Sequence, residues 1–134
     1  NLYIGTEYLR YFYGDSISDY LTNYDKEIFF EDNDNLEIIC IPPWKISDIK
    51  STFDVFQNSN SFVEMSEDAI KNYALHIEKI MNKKSKIALS SDGNFNRQTT
   101  IDPRSLDKYF NIAFELFNYS SMVPGKENIF LISK

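Results

Sequence analysis

Apolar residues in this chain change period several times along its length, and that alternation constrains the fold more than any other feature. Ile70, Tyr73, Ala74, Ile77 and Met81 keep helical spacing behind Ser66, which predicts an N-capped amphipathic helix. Lys83-Lys84 beyond it suit the negative end of a helix dipole. Ile17, Tyr20, Leu21 and Tyr24 repeat the pattern at i, i+3, i+4 and i+7, with Asp15 or Ser16 as cap. Ile46, Ile49, Phe53 and Phe56 keep it again from Ser47 or Asp48. Asp102-Pro103 is a cap-plus-N1 pair, and the helix expected after it turns Leu106, Phe110, Ala113 and Phe117 inward.

Between these segments lie β-rich runs. Glu27–Glu31 and Leu36–Ile41 flank Asp32-Asn33-Asp34-Asn35 and read as a hairpin. Both faces of the second run are apolar, which predicts a central strand holding a buried Cys40, and Pro42-Pro43 ends it. Phe62–Met65 reads as a short strand, as does Lys86–Ser90, which is followed by a turn at Asp92-Gly93-Asn94 and a polar strand over Arg97–Ile101. Pro124-Gly125 marks a turn before a closing strand, Asn128–Ile132. The opening aromatics, Tyr8–Tyr13, favour a strand, although Thr6-Glu7 offers the start of a helical turn. Hairpins mixed with helices predict an α+β fold, a mixed and largely antiparallel sheet with three to four packing helices. Neither a repeat nor a composition break divides the chain, so residues 1–134 read as a single globular domain.

Eleven Phe, nine Tyr and one Trp supply a core without a metal or disulfide staple. Cys40 is the one cysteine and has no intramolecular partner, which favours a cytoplasmic location. The first 14 residues lack the zones of a signal peptide, and no apolar run reaches the length of a membrane span. The sequon Asn118-Tyr119-Ser120 is of a kind that arises by chance.

Charge is divided unevenly. Residues 1–68 hold 14 acidic and 4 basic side chains, and residues 69–134 hold 6 acidic and 10 basic, within a total of −6. Asp25, Glu27, Glu31, Asp32, Asp34 and Glu37 face one base, Lys26. Such a field repels nucleic acid and anionic membranes and attracts a basic protein partner. These six residues, with Trp44 behind the rigid Pro-Pro as an anchor, form the expected partner-binding set.

The sequence points to no catalytic, metal or cofactor site. His76 stands alone on the flank of the helical stripe. A calcium loop starting at Asp32 fails because Leu36 stands at its third ligand and Pro43 at its closing Glu. Ser90 to Asp102, with Arg97, Thr99 and Thr100, is polar enough for a phosphate or ribose but lacks a glycine-rich loop and a nucleophile beside a base. Lys83, Lys84 and Lys86 are too few to outweigh the acidic total as a nucleic-acid signal.

An acidic hairpin over Glu31–Glu37, an apolar strand and the Pro-Pro-Trp stop, in a cysteine-poor chain rich in Asn, Ile, Lys, Phe and Tyr, resemble bacterial toxin-immunity proteins of the contact-dependent growth-inhibition or bacteriocin type. The resemblance is one of type and composition, without a diagnostic motif, and it carries over no individual residue. It implies a non-enzymatic inhibitor that covers the active site of a basic toxin, commonly a nuclease, in the producing cell's cytoplasm. A structural or accessory subunit is one alternative, and a small ligand-binding enzyme domain using Ser90–Asp102 is another.

Overall fold

The structure, a computed structural model, describes residues 2–19, 21, 26–92, 101–120 and 127–134. The fold is α+β. Among the described residues it contains two α-helices, four 3-10 helices and six strands, the largest sheet being mixed with two of its three pairings antiparallel. The chain gathers into two compact units, Asn1–Ser51 and Thr52–Lys134.

The second unit is built on a four-stranded sheet in the order β3-β4-β6-β5, formed by β3 (Phe53–Ser59), β4 (Met81–Asp92), β5 (Phe114–Ser120) and β6 (Glu127–Ser133). β3 and β4 are parallel, so the chain must cross back between their ends, and α2 (Glu67–Ile80) makes that crossing. Ser66 caps α2 as its spacing predicts, its side chain accepting from the Ala69 amide. α2 buries Ile70, Ala74 and Ile77. On the sheet, Ile87, Leu89, Ile129 and Leu131 are buried while the alternating Ala88, Ser90, Phe130 and Ile132 are not. One face therefore carries the core, covered by α2 and the 3-10 helix Pro103–Tyr109. Ser133 is buried there too, and its hydroxyl accepts from the Ile87 amide at 2.8 Å.

Two expected helices give way to strands partway along. Phe53 and Phe56 keep helical spacing but lie in β3, because backbone pairing with β4 supplies every second group a partner that a local helix would have to supply itself. The helix expected from Asp102 stops early. Asp102 does cap, accepting from the Arg104 amide at 3.0 Å, and Pro103 stands at N1, but the helix is 3-10 and ends at Tyr109. Phe117 belongs to β5, and Ala113 is exposed rather than inward. Phe62–Met65 is not a strand: Ser61–Glu64 is a 3-10 turn with Phe62 and Val63 buried. Lys83-Lys84 lie in an irregular stretch of β4, where the register slips from Phe53↔Met81 to Val55↔Lys86. Gly93, Asn94, Arg97–Thr100 and the Pro124-Gly125 turn lie outside the described residues.

In the first unit, α1 (Leu2–Tyr13) replaces the strand favoured by its aromatics. Gly14, at φ +54°, ends it in the left-handed region that glycine enters without a Cβ clash. Ile17 is not helical. It opens β1 (Ile17–Asp19), which pairs in parallel with β2 (Ile38–Cys40). Tyr20 and Tyr24, from the same expected helix, lie outside the described residues.

The expected hairpin is absent among the described residues, since Glu27–Glu31 meets the chain through an Ile28↔Ile49 bridge instead. β2 is accordingly not central, and Cys40 is half-buried rather than enclosed, as a two-stranded sheet leaves its strands partly open. Pro42-Pro43 ends β2 as predicted, and Pro43 starts a 3-10 helix, Pro43–Asp48. Among the described residues no helix is long and apolar enough to cross a membrane.

The two faces of α2 give a direct test. Ile70→Ala, at a site with no exposure, should lower stability by about 2–5 kcal/mol, whereas Leu75→Ala, 55% exposed on the same helix, should change it by under about 1 kcal/mol. Equal losses in urea unfolding would contradict this assignment of faces.

Candidate functional site

The candidate site is a cleft of about 590 Å³ in the first unit. β1 and the turn before it contribute Asp15, Ser16 and Ser18, the segment leading into β2 contributes Phe29, Glu31, Asn35, Leu36 and Glu37, and β2 itself Ile38 and Ile39. Parallel pairing of Ser18 with Ile39 brings these two stretches together. Among the described residues the lining holds three carboxylates, on Asp15, Glu31 and Glu37, and neither lysine nor arginine. Phe29 and Leu36 stay 60% and 55% exposed beside them.

A local hydrogen-bond network shapes the acidic wall. The Glu31 amide donates to Glu37 Oε2 at 3.2 Å. Asn33 Nδ2 donates to Glu31 Oε2 at 2.7 Å and reaches Glu37 Oε1 at 3.5 Å. The Asn35 amide in turn donates to Asn33 Oδ1 at 2.7 Å, an Asx-type turn that fixes Asn33. One neutral amide thus holds two carboxylates on the same wall and offsets part of their repulsion. Carboxylates beside exposed apolar carbon suit a lysine or arginine side chain, whose head takes charge-assisted hydrogen bonds while its stem covers Phe29 and Leu36.

The structure divides the seven residues expected from the sequence. Glu31 and Glu37 converge on the cleft. Asp32 and Asp34 are exposed in the adjoining bend but do not line it. Glu27 is exposed and faces Lys50 Nζ at 3.4 Å. Asp25 lies outside the described residues. Trp44 is 72% exposed on the Pro43–Asp48 turn and lies outside the lining. Sequence reasoning missed Asp15, Ser18 and Phe29; the β1–β2 pairing and the Ile28↔Ile49 bridge that place them are non-local and left no motif.

Lys45 anchors the turn that carries Trp44. Its side chain is 11% exposed, its Nζ pairs with the Asp48 carboxylate, and it lies 3.4 Å from the Lys26 carbonyl. The hydrogen bond from Lys45, then its charge, hold the Asp48 carboxyl below the ordinary carboxylate value against the opposing effect of desolvation.

A second polar cluster lies at the carboxyl ends of the parallel strands β3 and β4. Ser59 and Ser90 hydroxyls meet at 2.6 Å, and Asn60, at φ 63°, accepts the Asp92 amide on Oδ1 at 2.9 Å. Of the polar set expected around Ser90–Asp102, Arg97, Thr99 and Thr100 lie outside the described residues. His76 is half-buried on α2. Among the described residues no group of three His, Cys, Asp or Glu is placed to hold a metal.

No protein-family model matches the chain, and no curated protein matches it. Among solved structures it is similar to TehB from Haemophilus influenzae, at 8% identity and a TM-score of 0.45. The match covers 73% of this chain and 41% of that one, so the chain spans under half that protein's length. At that level the likeness assigns neither family nor activity.

Lys45→Met should return the Asp48 carboxyl toward its ordinary value, a rise readable by carboxyl NMR. A depressed folded-state value means the pair contributes stability above the ordinary carboxylate range and loses it as pH falls through the lowered value. The variant should therefore lose stability at neutral pH and show a flatter acid limb. An unmoved Asp48 titration would contradict the pairing.

Proposed function

We propose that this chain is a non-enzymatic binding protein that neutralises a basic partner by taking a cationic segment into the Asp15–Glu31–Glu37 cleft. The supporting observation is the composition of that cleft among the described residues: three carboxylates, no lining base, and exposed Phe29 and Leu36 beside them. The exposed Asp32 and Asp34 extend the same field and speed encounter, and Trp44 offers an aromatic contact outside it. A bacterial immunity protein blocking a cognate toxin in the cytoplasm, with a nuclease as the partner, fits this chemistry. A nuclease carries a basic substrate groove, and an acidic inhibitor covers it without performing any reaction.

The cluster at the ends of β3 and β4 favours a second reading. Open sheets bind ligands outside the carboxyl ends of parallel strands, and Asn60, Ser59 and Ser90 stand there with Asn60 in a left-handed conformation. A small ligand-binding enzyme domain would use that end.

Titration with an arginine- and lysine-rich peptide tests the first reading. Glu31→Lys with Glu37→Lys should weaken binding by roughly tenfold or more and flatten its salt dependence. Asp32→Lys with Asp34→Lys changes net charge equally but leaves the lining intact, and should cost less. Equal losses in the two variants would mean that the overall field, not the cleft, attracts the peptide.

A further inference from the structure

Surface helices turn their apolar residues inward, and α1 does the opposite. Thr6 is its one buried residue, with Leu2, Leu9 and Arg10 half-buried. Ile4, Tyr8, Tyr11 and Phe12 are 64%, 65%, 84% and 59% exposed. At 3.6 residues per turn these four share one side of the helix. Tyr8 and Phe12 rings lie 5.0 Å apart and Tyr11 and Phe12 rings 5.1 Å apart, both edge-on, so they make one continuous surface. Gly5 borders it. A helix-interior glycine costs about 1 kcal/mol relative to alanine, and a Cβ here would meet nothing within 4 Å. Among the described residues no contact calls for glycine at this position; a close approach from outside would.

Charge selects the occupant. α1 holds one acid and one base, and Arg10 is already paired with Glu7 and with Asp19 at 2.8 Å. A basic partner finds no complementary field on this face. An anionic bilayer finds no unpaired base on it and meets a chain of net charge −6. A second copy presents the same neutral aromatic surface. Taking ~200 Å² for each large side chain, the exposed parts of Ile4, Tyr8, Tyr11 and Phe12 offer on the order of 550 Å² per copy, the scale of a weak interface of just under ~600 Å² per partner.

We propose that two copies of this chain associate through the outward faces of α1, antiparallel about a two-fold axis near Tyr8. Ile4 of one copy meets Phe12 of the other, and Gly5 admits Tyr11. Sedimentation equilibrium of the full chain, from ~1 to ~300 μM as befits an interface of this size, tests it. The wild-type mass should rise from 15.7 kDa toward twice that value. Tyr8→Glu with Phe12→Glu should weaken the dimer by ~100-fold or more with unchanged circular dichroism. Gly5→Leu keeps every aromatic and blocks the approach, and should weaken it by ~10-fold. A wild-type chain that stays monomeric throughout, or variants that dimerise as it does, would overturn the proposal. So would a monomer that binds phosphatidylserine vesicles through this face.

Discussion

Parallel pairing of β3 with β4 is the interaction on which the second unit depends. Two parallel neighbours cannot be joined by a tight turn, so the chain must return the length of the strand before the second begins. Seven residues of β3 span ~23 Å and fourteen of α2 span ~21 Å, so one helix covers nearly the whole return. That match places α2 along the sheet and turns Ile70, Ala74 and Ile77 onto the face where Ile87, Leu89, Ile129 and Leu131 lie. β6 then enters antiparallel beside β4, which lets Ser133 satisfy the Ile87 amide and closes the core at that end.

The first unit follows a different logic. Its β1–β2 sheet has two strands of three residues each and shields little on either side. Local polar bonds tie its segments together: Arg10 to Asp19, Lys45 to Asp48 and the Asn33 staple between Glu31 and Glu37. The same sparse covering leaves Phe29 and Leu36 open in the cleft and the α1 aromatics open on the helix. In physical terms, a small sheet and a large aromatic content leave apolar surface over, and that surface is where binding proteins place their contacts.

Elements whose signals are local were legible in the sequence. α2 was readable because its stripe and its Ser66 cap both lie within one short stretch, and the Asp102-Pro103 start was readable for the same reason. β4 and β6 were readable as apolar runs. Phe53, Phe56 and Phe117 misled because their spacing fits a helix, while pairing with β4 and β6 placed them in strands; Phe110 is buried as expected but ends the 3-10 helix. α1 misled in the other direction, since aromatic density suggests a strand but no strand partner adjoins it among the described residues. At the site, the acidity of Glu31 and Glu37 was plain. Their convergence was not, because it depends on Asn33 and on Asp15 and Ser18 arriving through a pairing some twenty residues distant.

The cleft and the strand-end cluster make different demands on a ligand: the first wants positive charge beside an apolar stem, the second polar groups that can replace hydroxyl and amide partners already paired. Amide chemical shifts, followed while a short lysine-rich peptide is added, separate them in one experiment. The account predicts shifts at Asp15, Ser18, Glu31, Leu36 and Glu37 that fade as salt is raised. Silence at those positions, with shifts gathered at Ser59, Asn60, Ser90 and Asp92 instead, would contradict it.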